Sequence, residues 1–268
     1  MIDQWVEQIR AEGFVVIPNI IPAAECDDVS ARLQAVAKRW RRTEAFNKLN
    51  VSHVPGLINF DQTVAGYIAD DQVLAVAEQL LGKNLRVSFT TLQTNEAGKQ
   101  RSEWHADWPY NQRRACHLPA PYPDLVMHLT ALLMISPFTE QNGGTLVVPG
   151  SHRQPTNPTD PALGIDLHSA HPNEVRVAGG AGSMALFDSR TWHCAPANPS
   201  DKPRVSVGVR YAPWWLNLEP LDPNSELRRQ WVDEPGLHEN DQQRLRQETY
   251  ESLPEKAKPL YRHWVEPS

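Results

Sequence analysis

No apolar run in this chain is long and unbroken enough to cross a bilayer, so a helical membrane protein is not expected. Positive charge is in deficit: 26 Lys and Arg stand against 32 Asp and Glu, for a formal net charge of -6. A nucleic-acid partner, which needs a basic face for phosphate, is therefore not expected either. Cysteine is scarce, and Cys26, Cys116 and Cys194 are odd in number, widely separated and outside any Cys-x-x-Cys spacing. Free thiols in a reducing compartment fit that pattern better than a disulfide framework or a zinc knuckle. The opening MIDQWVEQIRAEGF has no basic segment followed by an apolar one. No secretory leader is expected from it, and a cytoplasmic location is the default. Internal repeats and low-complexity linkers are also lacking, which favours one domain over residues 1–268.

Proline and tryptophan, by contrast, are plentiful, with 23 and nine copies. Such a chain is a poor helix bundle; short strands joined by structured loops suit it better. Helical spacing dominates the first 82 residues or so and returns only in short pieces after Asn217, such as DQQRLRQETYESL. DQWVEQIRAEG predicts a helix with Asp3 as N-cap and Gly13 as stop. PAAECDDVSARLQAVAKRWRR predicts a second, and DDQVLAVAEQLLGKN a third, capped by Asp70 or Asp71 and stopped by Gly82. FVVIPNI reads as a strand between the first two. After Gly82 come the β-branched runs LRVSFTTLQTNE, VMHLTALLMIS, TLVVP, VRVA, SMALFD and RVSVGVRYA, with a turn at Asn142-Gly143-Gly144. Residues 109–125 form a proline-rich loop, and the chain turns polar from Asn217. The expected class is α+β with a mainly β core: a helical support layer over 1–82, a jelly-roll core over 83–215 and a C-terminal extension over 216–268. The polar extension offers a surface for a second subunit, so an oligomer is possible.

Within the β region, EWHADW sets His105 and Asp107 two positions apart. On a strand, residues i and i+2 share a face, so both side chains converge while Ala106 turns away. An imidazole nitrogen and a carboxylate oxygen suit iron(II), with a second histidine completing the face of an octahedron. His193 is the best placed of the remaining histidines. It follows a strand-like run and precedes RVSVGVRYA, whose Arg204, Ser206, Gly208 and Arg210 alternate on one face. A buried Arg204 can take the end of a dicarboxylate through its guanidinium fork, with Ser206 adding a hydroxyl. Zinc is the competing metal, because two histidines and an aspartate also suit tetrahedral hydrolases, but zinc leaves Arg204 and Ser206 without a task.

WHAD, QNGGTLVVPGSHR and WHCAPANPSDKPRVSVGVRY, in that order, resemble the phytanoyl-CoA dioxygenase family, a branch of the iron(II)- and 2-oxoglutarate-dependent oxygenases. The likeness covers roughly residues 10 to 215. It implies a double-stranded β-helix (jelly roll, cupin-like), with iron(II) held by His105, Asp107 and His193. It also implies 2-oxoglutarate bound at Arg204, 11 residues after His193, and O2 as the second co-substrate. Gln93 matches a position that lines the co-substrate pocket in such proteins. The PGSH stretch ending at His152 reads as a structural turn. The loop with PAPYP and the segment after Asn217 match no family motif, and substrate choice is expected to lie there. Trp108, Tyr110 and Thr91 are the candidate substrate contacts; Trp104 reads as core, and Trp214 and Trp215 as packing.

The resemblance implies hydroxylation of a C–H bond in a small-molecule metabolite, with release of succinate and carbon dioxide. Halogenating relatives lack the carboxylate, and Asp107 is present here, which favours hydroxylation. Desaturation or ring formation differ only in the fate of the substrate radical. A non-catalytic jelly-roll binder is the alternative of another class, and it has no need of three ligands plus Arg204.

Overall fold

The computed structural model describes residues 1–40, 51–108, 120–219, 221–234 and 244–267, and among these no helix is long and apolar enough to cross a membrane. The chain opens with α1 (Ile2–Glu12), which buries Val6 and Ile9 and ends at Gly13, whose φ of 89° is the left-handed value a stop needs. Asp3 lies in the first turn and is not the cap; Met1 holds that position without a side-chain bond. β1 (Phe14–Ile17) follows, then α2 (Cys26–Trp40), with Val29 and Leu33 buried. β2 (Val51–Pro55) falls within the stretch expected to be helical, and a short α3 (Ala65–Ile68) comes next. α4 (Asp71–Leu81) is capped by Asp70, whose carboxylate accepts from the amides of Gln72 and Val73.

The β core holds β3 (Arg86–Asn95), β4 (Leu129–Met134), β5 (Leu146–Val147), β6 (Val175–Arg176), β7 (Met184–Asp188), β8 (His193–Cys194) and β9 (Arg204–Ala212). Six strands form one sheet in the order β1-β7-β4-β9-β3-β2, and β6-β5-β8 form a second. Every pairing is antiparallel. The two sheets face one another across Leu132, Met134, Ala185 and Phe187 on one side and Val147 and Val177 on the other, which makes the core a jelly roll.

Register decides what each face carries. Val205, Val207, Val209 and Tyr211 of β9 point to the helical layer and join its core. Alternation then puts Arg204, Ser206, Gly208 and Arg210 on the face toward the second sheet. Gln93 lies opposite Ser206, Thr91 opposite Gly208, Asn95 opposite Arg204, and Thr130 opposite Arg210.

The polar C-terminal segment proves to contribute to that layer. After α5 (Glu226–Arg228), α6 (Gln247–Ser252) and α7 (Lys258–Tyr261) bring Leu245, Leu253, Ala257, Leu260 and Tyr261 into the core on the helical face. The Tyr261 hydroxyl lies 3.1 Å from Thr90 Oγ1 on β3. Its apolar residues thus pack within the chain. Trp214 and Trp215, expected to pack, are exposed at 56% and 51%.

Candidate metal centre and co-substrate pocket

His105 and His193 sit opposite each other in a two-residue bridge: each amide donates to the other's carbonyl, at 3.0 and 2.9 Å. The expected strand at His105 is therefore an isolated bridge, and Asp107 lies in a bend beyond it. The side chains still converge, because a hydrogen-bonded antiparallel pair points both side chains the same way. The ring centroids are 4.2 Å apart, and His193 Nε2 approaches Asp107 Oδ2 to 3.8 Å. Trp104 and Ala106, the alternate residues, are buried with Leu146, Trp192 and Cys194 on the far side of the small sheet.

Among the described residues, His105, Asp107 and His193 are the one group of three whose ligand atoms all lie within 4.8 Å of one another. Both histidines are turned by their backbones. His105 Nδ1 meets the carbonyl of Glu103 at 3.0 Å, and His193 Nδ1 meets that of Thr191 at 2.9 Å. A carbonyl can only accept, so each Nδ1 carries the proton and each Nε2 lone pair is left for a metal. Burial, reinforced by His193, pushes the His105 imidazolium down to about 4, so the ring is neutral as a ligand must be. Burial alone would raise the Asp107 carboxyl. Arg210, the two histidines and the Thr130 hydroxyl outweigh it and hold the group well below the usual carboxylate range. Arg210 Nη2 donates to Oδ1 and Thr130 Oγ1 to Oδ2, both at 2.8 Å.

Farther along β9, Arg204 is 4% exposed, and its Nε and Nη1 find no partner among the described residues. Its guanidinium carbon lies 4.1 Å from the centre of the Phe138 ring, and burial pushes its pKa down to about 9. A buried cation compensated by one ring is costly, and an anion is what this arrangement lacks. Asn95, opposite in register, also has a buried Nδ2 without a partner among the described residues. Two donors in adjacent positions suit a carboxylate. Ser206 is buried beside Gln93, and Gly208 keeps the middle of the face open: a Cβ there would sit 3.3 Å from Thr91 Cγ2 and 3.4 Å from Gln93 Nε2. This donor set fits iron(II) and a dicarboxylate together.

The candidate substrate contacts fare unevenly. Trp108 stacks on His128, with centroids 5.5 Å apart and planes at 19°. Thr91 is buried and its hydroxyl donates to Leu92 O. Tyr110, like Cys116 and most of the proline loop, lies outside the described residues. His152 is buried in its turn with Nε2 3.2 Å from the carbonyl of Arg10, as a structural histidine should be. Sequence reading gave Arg210 no task and passed over Asn95, Thr130, Ser189 and His128. The available signal was HLTALLM, a strand whose first residues are polar yet buried.

Known proteins share this arrangement of sheets. A dioxygenase of Aspergillus fumigatus, af480, is 28% identical over 213 residues, covering 76% of this chain and 64% of its own. An ectoine dioxygenase of Bordetella bronchiseptica is 24% identical over 252 residues, covering 82% and 80%. The crystal structure of HygX from Streptomyces hygroscopicus, with nickel and 2-oxoglutarate bound, superposes with a TM-score of 0.64 at 18% identity over 83% of this chain and 92% of that one. The phytanoyl-CoA dioxygenase (PhyH) family matches residues 9–206, a span that contains both histidines, the aspartate and Arg204. With that span matched and the jelly roll shared, the chain belongs to the phytanoyl-CoA dioxygenase family.

Proposed function

We propose that this dioxygenase, dependent on iron(II) and 2-oxoglutarate, hydroxylates a C–H bond of a small-molecule metabolite in the cytoplasm, using one catalytic domain over residues 1–268. The observation that carries the reading is the buried guanidinium of Arg204, whose Nε and Nη1 lack a partner among the described residues, on the sheet face that looks toward the His105, Asp107 and His193 cluster. A zinc hydrolase or a simple binder gives that cation no counter-charge; 2-oxoglutarate supplies one.

In this reading His105 and His193 present Nε2 and Asp107 a carboxylate oxygen to iron(II). Arg204, helped by Asn95, Ser206 and Gln93, takes the distal carboxylate of 2-oxoglutarate. Bound together, iron and 2-oxoglutarate supply the oxidising chemistry, consuming O2 and releasing succinate and carbon dioxide as one oxygen atom passes to substrate. The protein's part is position and exclusion of water. Two neutral imidazoles and one carboxylate leave the metal one net positive charge, and Arg204 balances the far end of the dicarboxylate. Phe187 stacks against His193 at 6.0 Å and limits water on that side. Trp108 and Thr91, with Tyr110 of the proline loop, are the proposed substrate contacts. Asp107 occupies the position a halide would need, which favours hydroxylation over halogenation.

The test follows succinate over a library of small metabolites with iron(II), 2-oxoglutarate and air. Turnover is expected with the parent chain and not with Asp107→Ala or His193→Ala. Undiminished turnover in either ligand variant would sink the reading.

A further inference from the structure

Behind Asp107 runs a chain of buried hydrogen bonds whose direction follows from elementary bookkeeping. Asp107, held ionised, can only accept, so Thr130 Oγ1 gives its proton to Asp107 Oδ2 at 2.8 Å. Thr130 has then no proton left for Ser189, and the 2.8 Å contact between the two hydroxyls must run from Ser189 Oγ to Thr130 Oγ1. Ser189 must in turn accept from its other neighbour, His128 Nδ1, also at 2.8 Å. His128 therefore carries its proton on Nδ1. Its Nε2, 2.8 Å from Ser88 Oγ, accepts from that hydroxyl, whose other acceptor among the described residues, Arg210 O, is farther away at 3.4 Å. Burial, reinforced by Arg210, pushes the His128 imidazolium down to about 3, which keeps the ring neutral and its Nε2 an acceptor. Every donor from Ser88 onward points toward the carboxylate.

The backbone repeats the message. The carbonyl of Ser189 accepts the amides of Asp107 and Trp108, at 2.8 and 3.0 Å, while the amide of Ser189 donates to the carbonyl of His128. Trp108 lies stacked on the His128 ring. Ser189 thus holds the backbone of Asp107 and, through Thr130, one carboxylate oxygen, while Arg210 holds the other. Without this chain the carboxylate is freer to rotate about its bond to Cβ and turn Oδ2 from the two histidines.

We propose that His128, through Ser189 and Thr130, is a positioning residue that locks the orientation of the Asp107 carboxylate and thereby sets the affinity and coordination geometry of the metal site. This rests on the metal-ligand reading above. The feature that matters is the Nδ1–H donor, which an asparagine at 128 reproduces and a glutamine, whose amide reaches the Nε2 position instead, does not.

The test is titration of the metal-free full chain with cobalt(II), followed through the visible absorption of the bound ion, with Asp107→Ala as the reference for a broken site. Thermal melting of each metal-free chain is recorded alongside. Outer partners of metal ligands are typically worth about 10- to 100-fold in affinity. His128→Gln and the isosteric Thr130→Val are expected to weaken cobalt binding about 10-fold or more and to alter the shape of its absorption band. His128→Asn is expected to stay within about threefold of the parent with the parental band, which a purely structural histidine would not predict. Equal losses for His128→Asn and His128→Gln, or parental binding by His128→Gln and Thr130→Val, would overturn the proposal. If the variants at 128 do not fold, Thr130→Val decides alone. A parent chain that itself binds no more cobalt than Asp107→Ala would instead bring down the metal-site reading, and this proposal with it.

Discussion

Replacing Arg204 by methionine separates what the guanidinium does for the ligand from what it does to the fold. Among the described residues its Nε and Nη1 are buried without a partner, and the Phe138 ring at 4.1 Å is the compensation visible. A cation–π contact is worth about 0.5–2 kcal/mol, while the effective penalty for burying a charge is several. Arginine does not lose its proton in proteins, so its downward shift reads as stored desolvation cost and not as a titration. Methionine keeps an apolar stem and a sulfur against Phe138. The free Arg204→Met chain should be as stable as the parent or more so, by up to about 4 kcal/mol. At roughly 2–4 °C per kcal/mol for a chain somewhat shorter than this one, the melting temperature should stay level or rise. Ligand binding moves the other way. Two charge-assisted hydrogen bonds of about 1.5–3 kcal/mol each are lost, and each 1.4 kcal/mol is tenfold, so 2-oxoglutarate should bind roughly 100-fold weaker or worse. Ligand at about 100 times its dissociation constant stabilises by about 2.7 kcal/mol, so added 2-oxoglutarate should raise the melting temperature of the metal-loaded parent and leave the variant unmoved. Differential scanning calorimetry with and without 2-oxoglutarate reads both effects. A variant that melts well below the parent yet still responds to 2-oxoglutarate would refute the reasoning, because Arg204 would then be a structural cation.

Asp107→Ala should abolish succinate formation and weaken cobalt binding in the metal-free chain, measured by absorption titration; it also strips Arg210 of its carboxylate partner. Tyr261→Ala should destabilise by about 3–5 kcal/mol in urea unfolding, since it empties a site 3% exposed beneath β3. Gly182→Ala should lower stability by more than about 1 kcal/mol, because its φ of 83° is left-handed and a Cβ would lie 2.4 Å from the carbonyl of Ile21. Cys194 is buried, and that burial pushes its thiol up to about 11. Folding therefore keeps the thiol protonated where an unfolded one ionises, so its contribution to stability falls as pH rises from about 9 toward 11. At pH 8 the Cys194 peptide should resist iodoacetamide in the native protein and react on unfolding, as mass spectrometry would report.

Local rules read well wherever a single element determined its own conformation. α4 shows its cap, its apolar stripe and its stop in one window, and the structure has all three in place. β9 announces itself by alternation, valines to the helical layer and Arg204, Ser206 and Arg210 to the other face. β2 was illegible because VSHVP carries histidine, serine and proline and owes its strand to the neighbouring edge of β3. The segment after Asn217 looked like surface for a similar reason. Its few apolar residues are spread over Leu245 to Tyr261, and only tertiary packing gathers them under the sheet.

The site divides along the same line, and the division explains its chemistry. The proposed ligands are legible because a metal would demand specific atoms, and two residues of spacing at His105 and Asp107 are enough to announce them. The strand used to argue that convergence is absent, yet the pairing of His105 with His193 achieves it by backbone hydrogen bonds that no local window contains. What orients those ligands is distributed: Glu103 and Thr191 carbonyls for the imidazoles, Arg210 from β9, Thr130 from β4 and Ser189 from the turn after β7 for the carboxylate. These residues are ordinary in type and are brought together only by the register of three strands. A carboxylate anchored at both oxygens loses little further freedom when it takes up a metal, so the entropy of ordering the ligand is met in folding rather than at binding. In the proposed site three donors would hold the metal on that footing, and substitutions in β4 and β9, far along the chain from EWHADW, are for the same reason expected to change the metal affinity.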